Sequence, residues 1–297
     1  MNESFLTFHD DVRRVCMTER KIPLNIYKVS DPFMGTVRQN LKLTRDSSPN
    51  DTRHVVIDLE GSRYEYFEGQ SAGVLPPGLN EKGKPHSVRL YSIASHRYGE
   101  GGHPKRLSLC VKRAVYQDPG TGQERHGVAS NYICDLKPGD QVKLTGPAGN
   151  RFLLPEQFLD HHYVFIATGT GIAPFRGMLY QLFHHQFRGE VWLIFGVQYR
   201  SDILYEKEFH QHEAHSNFHF VTAISREETN SDGSKVYVQH RLLDYKNELT
   251  SLMAKTNTLI YICGISGMEK GIGQALQTLF SAEVYEQVKK RVLVEVY

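Results

Sequence analysis

The stretch that most restricts the fold lies in the second half of the chain. The unbroken apolar run YVFIA (residues 163–167) is followed by Gly169-Thr170-Gly171 and then by Ile172-Ala173-Pro174. A run this short, apolar at consecutive rather than alternate positions, suits a strand buried on both faces. The glycines suit a tight exit turn. The proline suits the first turn of a helix, where a missing N–H costs nothing. The pattern repeats: VWLIFG (191–196), HFVTAI (219–224) and LIYICG (259–264) read as further apolar strands, and a helix is expected near 175–185. Strands alternating with helical stretches predict an α/β layer on a parallel sheet.

The first half reads differently. Strand-like segments at 52–58, 87–94, 106–114 and 141–145 are separated by turn residues such as Pro76-Pro77-Gly78, Pro119-Gly120 and Pro138-Gly139. Short strands punctuated in this way predict a small antiparallel β-barrel or sandwich. At 297 residues the chain is about twice the usual domain length. The expected organisation is therefore two-domain: a polar N-terminal extension over 1–20, an antiparallel β-barrel domain over 21–155, and an α/β parallel-sheet domain over 156–297. The segment GPAGNRFLLP (146–155) reads as the hinge region between them.

Several classes are disfavoured. The longest apolar runs are strand-sized, so no integral membrane segment is expected. The first twenty residues carry Glu3, Asp10, Asp11 and Glu19 and no apolar core, which argues against a secretory signal or an acid-poor transit peptide. A cytoplasmic location is expected, or an organellar stroma if a transit peptide has been removed. Cys16, Cys110, Cys134 and Cys263 show no CxxC spacing, so neither an iron–sulfur cluster nor zinc is indicated. The histidines at 161, 162, 184, 185, 210, 212, 215 and 219 lack the companions of a closed metal site and read as a solvated face. No metal and no nucleic acid is expected. Residues 1–155 hold 22 lysines and arginines against 17 acids, and residues 156–297 hold 13 against 16, so the front half can attract an acidic partner.

The Gly169-Thr170-Gly171 turn entering a helix is a candidate anion site, because backbone N–H groups and the helix dipole face whatever lies in front of it. Alone, the same pattern also serves a simple tight turn. A site for NAD places an acid about 20 residues on, to bind the ribose 2′-hydroxyl, yet the second strand ends Phe195-Gly196-Val197-Gln198. Ser225 and Arg226 follow the next strand, and Lys235, Tyr237 and Gln239 occupy alternate positions, on one face if that segment is extended. Such donors and an aromatic face suit a 2′-phosphate and its adenine better than NAD. A solvated basic edge strand is the competing reading. Arg89 and Tyr91, within Arg89-Leu90-Tyr91-Ser92, read equally as a surface cross-strand pair.

The combination carries a resemblance. RLYSIAS from Arg89, LCVKRAVY from Leu109, GVASNYICDLKPGD from Gly127, ATGTGIAPFRG from Ala167, AISREETN from Ala223, YICGISGMEKGI from Tyr261 and the terminal VEVY occur in this order. From about Ile22 to Tyr297 the chain resembles the plant-type ferredoxin–NADP+ reductase family. The resemblance implies that the barrel binds FAD and the α/β domain binds NADP(H). FAD contacts would come from Arg89, Leu90, Tyr91 and Ser92, from Cys110, Val111 and Lys112, from Tyr116 beside the adenine, and from Gly127, Val128, Ala129 and Ser130. For NADP(H) it implies Thr168, Ser225, Arg226, Lys235, Tyr237, Gly264 and Ile265, which join Gly169, Gly171 and Gln239 from the reading of the residues above. Tyr297 resembles the terminal aromatic residue that stacks on flavin and moves aside for nicotinamide, while Ser92, Cys263 and Glu295 take the catalytic surroundings, with Glu295 handling protons.

Two positions depart from the family pattern, Ala129 for its common cysteine and Gln198 for its usual proline. The implied activity is electron transfer through flavin between NADP(H) and an acidic one-electron carrier, ferredoxin or flavodoxin, by a monomer. An NADPH:flavin reductase serving a quinone, a ferric complex or an oxygenase component is the alternative enzyme. A non-catalytic nucleotide-binding protein is the alternative outside enzymes, and the joint presence of Ser92, Cys263, Glu295 and Tyr297 argues against it.

Overall fold

A computed structural model describes residues 21–297, and the extension expected over 1–20 lies outside the described residues. The chain divides into two compact units. One consists of Ile22–Asn150 with Ala173–Gln181, the other of Arg151–Ile172 with Leu182–Tyr297.

The first unit contains β1 (Phe33–Lys42), β2 (Thr52–Asp58), β3 (Ser71–Leu75), β4 (Arg89–Ser92), β5 (Arg106–Lys112), β6 (Val115–Gln117), β7 (Glu124–His126), α1 (Val128–Asp135) and β8 (Gln141–Ala148). Six strands form an antiparallel sheet in the order β4-β3-β8-β1-β2-β5. The two ends of this ladder meet just beyond β4, where Ile93 bridges to Leu109 and the Ala94 N–H donates to the Ser108 carbonyl at 2.8 Å. The sheet is thereby closed into a barrel, which satisfies backbone groups that an open edge would leave unpaired. Alternate residues point inward: Val55 and Ile57 of β2, Leu107, Leu109 and Val111 of β5, and Val142 and Leu144 of β8 fill the core.

β1 and β3 have no strand signature in the sequence. β1 is half exposed and bulged between Val37 and Gln39, so its apolar alternation is broken. β3 is five residues of small side chains, and its Gly73 faces Val88 and Thr145 so closely that a Cβ has no room. The segment expected at 106–114 ends at Lys112, and that at 87–94 narrows to β4.

The second unit is built on β9 (His162–Thr168), β10 (Val191–Val197), β11 (Phe218–Ile224), β12 (Thr258–Gly264) and β13 (Val292–Val296). The connections carry α2 (Ala173–His184), α3 (Glu206–His212), α4 (Val238–Asp244), α5 (Lys246–Met253), α6 (Met268–Leu279) and α7 (Ala282–Lys289). The start of α2, up to Gln181, counts with the barrel unit. The sheet is wholly parallel, in the order β11-β10-β9-β12-β13. Every residue of β10 and β12 is buried, as the consecutive apolar runs require. The chain starts centrally at β9, steps outward to β11 and returns to β12 on the other side. The loops after β9 and β12 thus leave at the topological switch point, the place where open α/β sheets bind ligands.

The boundary between the units, at Asn150 and Arg151, falls within the stretch 146–155. Residues 146–148 complete β8, whereas Phe152, Leu153 and Leu154 are buried, and the Leu153 carbonyl accepts a hydrogen bond from the Tyr261 hydroxyl at 2.7 Å. Among the described residues no helix is long and apolar enough to cross a membrane.

Candidate functional site

In the parallel-sheet unit, the loops after β9 and β12 pack backbone against backbone. A Cβ on Gly171 would strike the carbonyl of Cys263 and, at 2.7 Å, the Cα of Gly264. Gly264 has φ +147 and would strike the Thr168 hydroxyl in turn. Only glycine fits at both positions. The Thr168 hydroxyl accepts the Ile265 N–H at 3.0 Å and donates to the Met268 sulfur at 3.2 Å, so one side chain locks the second loop to the first. In front of this seam Gly169 has φ +52 and open space where a Cβ would stand. The 3₁₀ turn Gly169–Ile172 runs directly into α2, whose first N–H groups have no side-chain cap. Open space in front of a glycine turn that leads into a helix fits a pyrophosphate.

Tyr297 joins the same cluster. Its N–H donates to the Gly264 carbonyl and its own carbonyl accepts the Ser266 N–H, both at 3.0 Å. Its hydroxyl lies 2.7 Å from that of Thr170. Tyr297 as a residue remains 59% exposed and the neighbouring Ile265 64%. Large apolar groups left bare on a loop rim mark a surface that something else covers. One strand inward, Cys263 is fully buried and stands in register with the half-buried Glu295 on β13. Burial first, and the Glu295 charge second, push the Cys263 thiol well above its ordinary value, so it stays protonated.

The second group of this unit follows β11. The Ser225 N–H and hydroxyl donate to the Val197 carbonyl, and the Arg226 N–H donates to that of Gln198, so these backbones are paired beyond the strand ends. Gln198 supplies only its carbonyl to this contact, which a proline would supply as well. Arg226 and Lys235 are exposed. They lie on the two arms of one loop, closed by a bridge between Thr229 and Lys235. The acids nearby are engaged elsewhere: Glu228 with Arg241 at 2.7 Å and the Ile224 N–H at 2.9 Å, Glu227 with the Arg200 N–H at 3.0 Å. Neither Arg226 nor Lys235 has a carboxylate partner among the described residues, so two positive charges stand uncompensated on this loop, and Tyr237, two residues beyond Lys235, is exposed. Gln239 departs from the alternation. Tyr237 is extended, but Val238 begins α4, so Gln239 turns away into its first turn and its amide packs against Gly271.

In the barrel unit, β4 runs antiparallel to β3 with Arg89 opposite Val74 and Ser92 opposite Ser71. Arg89 has no carboxylate partner among the described residues. Tyr91 packs on the barrel core, and burial pushes its phenol up to about 12. The Ile93–Leu109 bridge sets the end of β4 beside β5, which carries buried Cys110 and Val111 and exposed Lys112. Just past β5, Ala114 holds the start of α1: its carbonyl accepts the Gly127 N–H at 2.9 Å and the Asn131 amide, and its N–H donates to the Ser130 hydroxyl at 3.1 Å. The N-cap Gly127 offers no side chain, leaving the first N–H groups of α1 for an anion. Ala129 is buried, so the methyl leaves no polar group stranded. Leu90, Tyr116 and Val128 are bare on the surface. Uncapped donors, an unpaired arginine and exposed apolar and aromatic groups together fit a phosphate-bearing aromatic cofactor.

Sequence reasoning passed over Thr170 and Asn131. Each lies inside a motif already singled out, yet a polar side chain in a turn gives no sign of what it faces. Among the described residues no group of three or more His, Cys, Asp or Glu side chains is arranged to hold a metal ion.

The family described as Oxidoreductase NAD-binding domain matches residues 165–274. The ferredoxin–NADP reductase of Spirulina sp is 44% identical over 262 residues, covering 86% of this chain and 89% of that protein. The chloroplastic leaf isozyme 1 of ferredoxin–NADP reductase from Arabidopsis thaliana is 44% identical over 268 residues, covering 88% and 74%. Among solved structures, the ferredoxin–NADP+ reductase of Plasmodium falciparum is similar with a TM-score of 0.77 at 30% identity, over 93% of this chain and all of that one. The same enzyme solved with 2′P-AMP gives 0.75 at 30% identity. With 44% identity running through both units, the chain belongs to the ferredoxin–NADP reductase family.

Proposed function

We propose that this protein is an FAD-dependent oxidoreductase that passes electrons between NADP(H) and ferredoxin, with residues 21–155 serving FAD and residues 156–297 serving NADP(H). The observation that carries the reading is the pair of uncompensated charges, Arg226 and Lys235, together with exposed Tyr237, on the unit whose switch-point loops are joined through Gly171 and Gly264. That arrangement suits a dinucleotide bearing an extra phosphate.

Bound FAD supplies the exchange between two-electron hydride transfer and one-electron steps, which nicotinamide and ferredoxin cannot make directly. The chain's own residues bind and orient. Arg226, Lys235 and Ser225 hold the 2′-phosphate, Tyr237 lies against adenine, and the Gly169–Gly171 turn takes the pyrophosphate. Tyr297 occupies the place of nicotinamide and yields it. Cys263, kept protonated by burial, forms a neutral wall rather than a nucleophile, and the Glu295 carboxylate holds or releases protons. In the barrel unit, Arg89 and the open N–H groups of α1 take the FAD diphosphate, and Tyr91, Ser92, Cys110, Val111 and Lys112 orient the flavin.

The positive balance of the front half suits docking of an acidic carrier, flavodoxin as well as ferredoxin, with steering that weakens as salt rises. The enzyme works as a monomer in the cytoplasm or in an organellar stroma. An anaerobic titration with NADPH and with NADH, following the visible flavin band, tests the reading. Bleaching at far lower NADPH than NADH is expected. A colourless protein, or an equal response to both, overturns it.

A further inference from the structure

We propose that Thr170 is a positioning residue, a latch that holds the ring of Tyr297 across the mouth of the dinucleotide site and so sets how readily nicotinamide enters. This rests on the reading above that Tyr297 gives way to nicotinamide.

The geometry lies wholly within the parallel-sheet unit. The Tyr297 backbone is bound at both ends to the loop after β12, through the Gly264 carbonyl and the Ser266 N–H. The residue's freedom is thereby reduced to the rotation of its side chain. That side chain reaches to the other loop, the one after β9, where its hydroxyl meets Thr170 at 2.7 Å. The anchor is rigid, because Thr170 stands between Gly169 and a Gly171 wedged against the Cys263 carbonyl. The ring therefore bridges the two loops whose divergence forms the switch-point crevice. A ligand ring entering the crevice displaces it only by breaking the hydroxyl contact. Tyr297 as a whole is 59% exposed, so its side chain has room to rotate once the hydroxyl contact is broken. A hydrogen bond between two neutral hydroxyls biases such an equilibrium by about two- to tenfold, enough to favour the closed ring without locking it.

The test uses the FAD-loaded full chain and compares Thr170→Val, which keeps the branched shape and removes the hydroxyl, with Thr170→Ser, which keeps the hydroxyl. Binding of NADP+ and of adenosine 2′,5′-bisphosphate, which has no nicotinamide, is measured by titration. Thr170→Val is expected to bind NADP+ about two- to tenfold more tightly, with bisphosphate affinity unchanged and with KM and kcat for NADPH oxidation lowered together, because the product is also held. Thr170→Ser is expected to behave as the parent. Tyr297→Phe, which removes the other hydroxyl, is expected to shift NADP+ binding in the same sense, and combining it with Thr170→Val adds nothing further.

Equal weakening of both ligands in Thr170→Val would mean that Thr170 only shapes the phosphate turn, and unchanged NADP+ binding would mean that no latch exists; either result overturns the proposal. A parent protein whose flavin NADPH does not reduce fails the functional reading itself. Normal reduction in the parent with an inert Thr170→Val fails the latch alone.

Discussion

Arg176 of α2 grips Glu100 with both guanidinium nitrogens, at 2.7 and 2.9 Å, while the same carboxylate accepts the Ser108 hydroxyl at 2.6 Å and has His54 at 3.6 Å. Arg176 donates further to the Ala94 carbonyl at 3.2 Å. All four side chains are largely or wholly buried, so the barrel unit holds the opening of α2 by an ion pair with little water around it. Such a pair adds little over an apolar replacement, but removing one partner strands the other charge.

Glu100→Gln is therefore expected to destabilise the protein by about 3–5 kcal/mol at neutral pH, read from urea denaturation. Burial alone would raise this carboxyl, but the hydrogen bonds from His54 and Arg176 outweigh it and hold it far below the ordinary carboxylate range. For a group lowered in the folded state, the contribution is complete above the unfolded value and lost as pH falls toward the folded one. The stability gap between parent and variant should thus be constant from about pH 7 to 5 and shrink below about pH 4. A gap that stays unchanged below about pH 4 contradicts the assignment.

Removing either uncompensated charge of the dinucleotide loop should act on the extra phosphate alone. Arg226→Ala and Lys235→Ala are each expected to weaken NADPH binding by about 10- to 100-fold, the range of a charge-assisted hydrogen bond, with NADH binding unchanged. Isothermal titration with both nucleotides checks this, and equal losses for the two would place these residues outside the phosphate site.

Gly171→Ala puts a methyl against the Cys263 carbonyl and the Gly264 Cα, backbone atoms that no rotamer change can clear. A cost of about 1–3 kcal/mol is expected from the forced shift, with NADP+ affinity falling because both loops move. Gly169→Ala meets no neighbour but carries φ +52, so its cost is conformational and it leaves the Gly171 seam in place. Thermal denaturation and NADP+ titration of the two variants separate these causes.

The raised thiol of Cys263 predicts inertness. In the folded protein at about pH 8, iodoacetamide should leave Cys263 unmodified over a period in which the unfolded chain is fully labelled, because the thiolate is the reactive form. Peptide-resolved mass spectrometry reads this directly, and early labelling of Cys263 would mean that burial does not keep it neutral.

The apolar runs at 163–167, 191–196, 219–224 and 259–264 and the Pro/Gly-punctuated strands before them sufficed for the fold class, because burial on both faces or on one leaves its period in the chain itself. The glycines at 169 and 171 were legible as a turn for a related reason, since a turn that excludes side chains leaves glycine in the chain, whereas Gly264 was reached only through the resemblance. β1 and β3 were not legible, since a bulge breaks the alternation of β1 and the five residues of β3, buried at four consecutive positions, are too few to show a period. Lys235 and Tyr237 kept the exposure their alternation implied, but Gln239 did not, because helix α4 starts one residue too early for an extended reading.

Tertiary structure alone decided the rest. Closure of the barrel at Ile93 and Leu109, the Thr168 lock on Ile265, the Arg176 grip on Glu100 and the reach of Tyr297 to Thr170 join residues 16 to 127 positions apart. Local pattern carries the period of an element and the geometry of a turn. It carries no information about which hydroxyl a terminal ring meets, because that contact depends on the strand order that brings β13 beside β12 and β12 beside β9.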